Sequence, residues 1–244
     1  MALRNGLSSL NLATEVVTPI LDVEADKPHN RFNDGKCDSA GRFWFGSMCT
    51  TGQQGCLYRY SATDGLTHMQ TGLTISNGLG WSPDDRTFYL TDSPLQKIFA
   101  YDFDATTGNI ENRRTFIDLT HESFFPDGLT LDAEGCLWVA MWDGWCVVRF
   151  DPNGQEMERV QLPVQRPTSC TFGCPLDSPL GDNTPNSLYI TSASVGLSEA
   201  EIQDSFLSGD VFSVETHTEG LPNYRFREAT QDTEQGTSIG KALL

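Results

Sequence analysis

Four aromatic strands at near-equal spacing constrain this chain more than any other feature. The runs Arg42-Phe43-Trp44-Phe45-Gly46, Thr87-Phe88-Tyr89-Leu90-Thr91, Cys136-Leu137-Trp138-Val139-Ala140 and Ser187-Leu188-Tyr189-Ile190-Thr191 align on Trp44, Tyr89, Trp138 and Tyr189. Those aromatics lie roughly 45 to 51 residues apart. Each run follows a polar turn: Asp38-Ser39-Ala40-Gly41, Pro83-Asp84-Asp85-Arg86, Asp132-Ala133-Glu134-Gly135, and a longer insertion from Pro175 to Asn186. Each precedes a third strand bearing Tyr or Phe: Leu57 to Tyr60, Ile98 to Tyr101, Val147 to Phe150 and Val211 to Val214. A fourth, outer strand follows, as in Glu156 to Leu162. Four meandering strands at this period make a β-propeller blade, a unit that buries its apolar faces only against neighbouring copies.

The phase of the repeat predicts four whole blades, starting near Asn30, Thr74, Phe125 and Gln165. Leu7 to Leu12 and Val16 to Val23 read as the outer two strands of another blade. One short helix is expected at Ser198 to Phe206, between the second and third strands of the last blade. Residues 1–227 read as one domain, and the polar, Gln- and Thr-rich stretch 228–244 as a disordered tail.

In a propeller the innermost strands line the axis and all start at one face. Their heads here carry Asn33-Asp34-Gly35, Asn77-Gly78 and Asp127-Gly128, with Arg166-Pro167-Thr168-Ser169 in the last blade. Taken singly, each Asn-Gly or Asp-Gly pair reads as a tight turn, and Asp34 leans to that reading. Recurrence at the same phase argues for more. A ring of carboxylate and amide oxygens converging on one mouth suits a hard divalent cation such as calcium, magnesium or manganese. The tryptophans divide in the same way: Trp44, Trp81 and Trp138 read as blade core, Trp142 and Trp145 as rim.

Composition narrows the partners. A formal charge of −17 and a pI near 4.4 disfavour nucleic acid and anionic membrane surfaces, which need a basic face. No apolar run is long enough to span a bilayer, and no charged-then-apolar leader follows Met1. Seven scattered cysteines predict free thiols in a reducing, cytoplasmic setting rather than a disulfide framework. Cys170 and Cys174 lack the second Cys or His pair that zinc requires and read as small buried thiols on a strand; the four histidines form no cluster.

Beyond the repeat, Arg31-Phe32-Asn33-Asp34-Gly35-Lys36, Gly41 to Met48, Ser76-Asn77-Gly78-Leu79-Gly80-Trp81-Ser82, Tyr101 to Asp104, Pro126-Asp127-Gly128, Leu137 to Ala140 and Pro167 to Gly173 together resemble the regucalcin (senescence marker protein)/gluconolactonase/luciferin-regenerating-enzyme family, nearly to Arg227. The resemblance implies a six-bladed β-propeller, here about four full blades plus part of another, and hydrolysis of a small sugar lactone with one divalent metal, calcium or zinc among others. It assigns metal ligation to Asn77 and Asp127, and the hold on the sugar to Arg31 and Asn33. Repeat phase reaches Asn33, Asn77 and Asp127 without the resemblance; Arg31 rests on it. The family's first blade, whose Gly-Glu-Gly-Pro-type motif supplies a metal-binding Glu, has no counterpart here, and no ligand role passes to Glu15 or Glu24. A position that is acidic in some relatives falls within Cys49-Thr50-Thr51.

The expected mechanism has the metal polarising the lactone carbonyl and Asp127 acting as general base toward water, with Arg31 and Asn33 orienting the substrate. Thr168 and Ser169 read as inner-strand structure, since no histidine stands in a triad-like context. The alternative is a calcium-binding or scaffold propeller without catalysis, or an inactive relative shortened at its start.

Overall fold

A computed structural model describes residues 1–49, 51–174 and 185–228. Its described strands form five antiparallel sheets arranged as propeller blades. The first holds β1 (Ala2–Leu3), β2 (Gly6–Leu10) and β3 (Val17–Asp22). The second runs β4 (Asn30–Cys37), β5 (Phe43–Cys49), β6 (Gly55–Ser61) and β7 (Gly65–Leu73). The third runs β8 (Ser76–Trp81), β9 (Thr87–Asp92), β10 (Lys97–Asp104) and β11 (Asn109–Asp118), and the fourth β12 (Phe125–Leu131), β13 (Leu137–Trp142), β14 (Cys146–Phe150) and β15 (Glu156–Gln161). The fifth comprises β16 (Pro167–Gly173), β17 (Ser187–Ser192) and β18 (Val211–Glu215). Every pairing is between consecutive strands, so each blade is a meander. The innermost strands β4, β8, β12 and β16 pack side by side around the axis.

The sequence dictates this layering. Middle strands such as β9 and β13 are covered on both faces by neighbouring blades and are almost wholly buried, β13 as a continuous apolar run. Outer strands alternate or are polar, as in β15, where Glu156, Glu158 and Arg159 face solvent and discourage edge-to-edge pairing. Blades are joined by aromatic clusters. Trp44 is fully buried and its ring lies 5.8 Å from Trp81, 5.1 Å from Phe88 and 6.0 Å from Phe103. Trp138 meets Phe172 edge-on at 5.8 Å. Each such side chain contributes about 1.5–3 kcal/mol by leaving water.

The polar turns before the aromatic strands are also structural. Asp38 accepts from the Arg42 backbone N–H at 2.9 Å, Arg42 Nε at 2.6 Å and Trp44 Nε1 at 2.8 Å. Asp132 repeats the device with the backbone N–H groups of Glu134 and Cys136, Trp138 Nε1 and Arg149. Residues following β18 cross the rear of the blades: Leu221 N–H donates to Leu131 O, Phe226 stacks on Tyr60 at 5.8 Å, and Arg227 N–H donates to Gly41 O.

Three details depart from the sequence reading. The first sheet has three strands rather than two, because Ala2–Leu3 pairs with Gly6–Leu7. The last has three rather than four among the described residues. The helix α1 forms as expected, at Glu199–Asp204, with Ser198 and Glu201 closing a capping box. The expected tail lies outside the described residues except for Glu228, and so does most of the Pro175–Asn186 insertion. All seven cysteines are free; Cys170 is buried, whereas Cys174 is exposed beyond the end of β16, not a buried strand thiol.

Candidate functional site

One end of the inner strands opens into a cavity of about 660 Å³ that gathers Arg31, Asn33 and Asp34 from β4, Asn77 from β8, Asp127 from β12 and Ser169 from β16. The strands are irregular at this level and only here along their length. Register shifts fall between Phe32 and Asp34, Asn77 and Leu79, Pro126 and Leu129, and Pro167 and Ser169. A β-bulge inserts an extra residue and re-aims the side chains around it. Four blades use the same device at the same height, so it belongs to the site and not to one strand.

The bulges correct the tight-turn reading. Asp34-Gly35, Asn77-Gly78 and Asp127-Gly128 lie within β4, β8 and β12, and none of the three glycines has a positive φ. Glycine is required by closeness instead. A Cβ on Gly78 would stand 2.6 Å from the Asp127 carbonyl oxygen, and one on Gly128 would stand 2.3 Å from Ser169 Oγ. Adjacent inner strands touch backbone to backbone at the mouth. Asp34, which leaned to a turn role, therefore points into the cavity.

The electrostatics of the cavity are unbalanced. Burial and the neighbouring Asp34 push the Asp127 carboxyl up to about 7, with the Asn77 amide and the Gly128 N–H offsetting only part of the rise. Burial raises Asp34 as well, against the pull of Lys36 and of the Gly35 N–H at 2.7 Å. Lys36 lies on the same face of β4 two residues on, and its Nζ reaches Leu129 O of β12 at 3.0 Å; burial lowers its proton affinity.

Amide orientation is fixed for Asn77 by a residue outside the inner strands and for Asn33 by neighbours within them. Asn77 Nδ2 donates to Ser93 Oγ at 3.1 Å, and Ser93 Oγ donates to Pro126 O at 2.6 Å. That tether engages one hydrogen of the Asn77 amide nitrogen and leaves its oxygen with one long contact, to Gly78 N–H at 3.3 Å. Asn33 is held on both sides, accepting from Arg31 at 3.1 Å and donating to Ser76 O at 3.0 Å. Ser93 escaped sequence reading. The signal for it was its position directly after the second strand of a blade, which repeat phase brings to the mouth.

Asp34 and Asp127, both raised by burial and Asp127 also by the charge of Asp34, form with the Asn77 amide oxygen an all-oxygen donor set. No histidine or cysteine is among the described residues lining the cavity. Such a set fits calcium, magnesium or manganese better than zinc. Two other acidic groups do not compete for this role. Glu24 accepts from Lys27, Asn30, Ser47 and Tyr58, which together hold it below its ordinary proton affinity despite its burial. Asp132, Glu134 and Cys136 place ligand atoms within 4.8 Å of one another, but Arg149 already bridges both carboxylates at 2.7 and 2.6 Å.

The remaining sequence candidates divide. Trp44, Trp81 and Trp138 are core. Trp142 lines the cavity with Phe125, Ile75, Met48 and Pro94, whereas Trp145 is 39% exposed and points elsewhere. Thr168 and Ser169 line the wall, with Thr168 Oγ1 and Thr191 Oγ1 2.7 Å apart.

Residues 1–194 match the family described as SMP-30/gluconolactonase/LRE-like region. Among curated relatives, the chain is 38% identical to regucalcin of Gallus gallus over 228 residues, covering 90% of this chain and 74% of that protein. Among solved structures, a calcium-binding protein, regucalcin, from Agrobacterium tumefaciens aligns with a TM-score of 0.83 at 28% identity, covering 93% of this chain and 75% of the other. A luciferin-regenerating enzyme aligns with a TM-score of 0.76 at 29% identity, covering 87% and 70%.

Proposed function

The chain belongs to the SMP-30/gluconolactonase/LRE-like family, and on that premise we propose that it hydrolyses a sugar lactone with the help of one divalent cation, calcium by its donor set. The observation that carries this reading is one cavity that brings Asp34, Asn77 and Asp127 together with Arg31 and Asn33. Asp34, Asn77 and Asp127 would hold the cation. The chemistry such an ion supplies when bound is Lewis acidity toward a carbonyl oxygen.

The chain's own residues account for the rest. Asp127 accepts the proton of the attacking water; burial and Asp34 raise its carboxyl to about 7 in the metal-free protein, and a bound cation would lower it and keep it ionised at neutral pH. The water oxygen bonds to the carbonyl carbon, the ring C–O bond breaks as Asp127 returns the proton to the leaving alkoxide oxygen, and the product acid then ionises in solution to a carboxylate and a proton. Arg31 and Asn33, locked to each other, donate to oxygens of the ring and orient it.

The six-bladed ring implied by the resemblance belongs to the same proposal. The second reading is cation binding without catalysis, favoured by the similarity to the calcium-binding regucalcin of Agrobacterium tumefaciens.

Acid release from glucono-1,5-lactone, followed in a pH-stat with calcium present, separates the two. Hydrolysis should fall about a thousandfold in Asp127→Asn while far-UV dichroism is unchanged. Turnover that survives this substitution overturns the mechanism, and binding without any turnover selects the second reading.

A further inference from the structure

The wall beside Asp127 is aromatic. Phe125 and Trp142 are register partners across β12 and β13, and both line the cavity. Arg31 and Asn33 stand on β4, two blades away around the same cavity. Trp142 is held from behind. The Arg166 guanidinium lies over its ring, 4.8 Å from the centroid, and Arg166 is not among the described residues lining the cavity. The guanidinium therefore covers the indole from outside and leaves the cavity side to a ligand.

Arg166 is itself fixed. Its Nε donates to Asp143 Oδ1 at 2.7 Å and its Nη1 donates to Val195 O. Gln165 Nε2 donates to the same Asp143 oxygen at 2.8 Å. The turn after Trp142 is correspondingly tight. Asp143 and Trp145 both adopt left-handed backbone, with φ of 63° and 59°, a conformation that side chains with a Cβ accept only when their surroundings impose it. A Cβ on Gly144 would stand 2.6 Å from Met141 Cβ. Two residues of the next blade thus clamp a strained turn whose one contribution to the cavity is an indole plate.

We propose that Trp142 is the platform against which the closed ring of the substrate lies, and that Arg166 is a positioning residue that keeps the plate in place. The proposal rests on the lactone reading for the identity of the ring. A pyranose-type lactone offers a face of C–H groups that packs on an aromatic surface, while its rim of hydroxyls reaches polar groups such as Arg31 and Asn33. An open-chain polyol has the same hydroxyls but no flat face. The site therefore selects closed-ring polyols over open-chain ones, through an interaction independent of the chemistry at Asp127.

The test uses glucono-1,5-lactone for turnover, and glucono-1,5-lactam (a ring that resists hydrolysis) and open-chain glucitol for binding. Trp142→Ala should raise KM for the lactone about tenfold with kcat within about threefold, and Trp142→Phe should recover most of that loss. Arg166→Gln should raise KM by a smaller factor of about three. The lactam should change tryptophan fluorescence in the wild-type protein and not in Trp142→Phe, which still binds it by calorimetry; glucitol should bind at least tenfold more weakly than the lactam. Unchanged lactam affinity in Trp142→Ala, or a fluorescence response that persists in Trp142→Phe, overturns the platform. A wild-type protein that shows the fluorescence response yet turns over no lactone keeps the platform and loses the hydrolase reading. Normal turnover with unaffected Trp142 variants does the reverse, and a protein that neither binds nor hydrolyses overturns both.

Discussion

Asp132 and Asp127 stand near opposite ends of one strand, and both are largely withdrawn from water, yet their surroundings differ in kind. Asp132, just past the rear end of β12, accepts from two backbone N–H groups, an indole and a guanidinium. Asp127, near the mouth end, has the Asn77 amide and the Gly128 N–H as relief, and a second carboxylate as neighbour. The rear carboxylate is a finished structural joint, and Asp38 repeats it two sheets earlier in the chain with Arg42 and Trp44. The mouth carboxylate is an unfinished one. Burial alone therefore says little about function; burial with the charge left unmet is what marks the site.

The comparison breaks most easily at the rear. Asp132→Ala strands the Arg149 guanidinium and the Trp138 N–H, and should cost about 3–5 kcal/mol. Thermal unfolding should then move down by on the order of 10 °C. A shift of only a degree or two would mean that the rear carboxylates are no more structural than those at the mouth.

At the mouth the sign reverses. Asp127 has a folded-state value of about 7 against an ordinary 3.8, so the fold favours its protonated form. The metal-free protein should be most stable in mild acid and lose up to about 4 kcal/mol as pH rises from 4 through 7. Calcium should remove that loss, and Asp127→Asn should flatten it. Melting curves at pH 5 and pH 8, with and without calcium, check this; greater metal-free stability at pH 8 would contradict it.

Smaller effects sharpen the same contrast. Gly78→Ala forces a Cβ against the Asp127 carbonyl and should cost about 1–3 kcal/mol by overpacking, read from the denaturant midpoint. Ser93→Ala frees the Asn77 amide and removes the donor to Pro126 O. Its stability cost should be about 1 kcal/mol, and calcium affinity measured by calorimetry should weaken severalfold. An unchanged affinity would show that the tether does not orient Asn77.

Much of the architecture was legible because its cause is local. Aromatic strands at a fixed period announce blades, and Ser198 with Glu201 announces a capped helix. The convergence of Asn33, Asn77 and Asp127 on one cavity followed from repeat phase alone. What was not legible came from contacts between blades. Asn-Gly and Asp-Gly read as turns because glycine so often supplies a positive φ; here it supplies the absence of a Cβ where two strands meet. Asp34 looked like a turn residue for the same reason. Repeat phase places Ser93 and Arg166 at the mouth end, but their contacts with Asn77 and Trp142 arise from the packing of side chains between elements, which no local motif announces.

Calorimetric titration of the metal-free protein with calcium, run side by side on wild type and Asp127→Asn, tests the central claim most directly. The account predicts one-to-one binding in the wild type, none in the variant, and a variant that melts no lower than the metal-free wild type at pH 8. Binding that persists in Asp127→Asn, or a well-folded wild type that takes up no calcium, would contradict the assignment of the unmet charge at the mouth to a cation site.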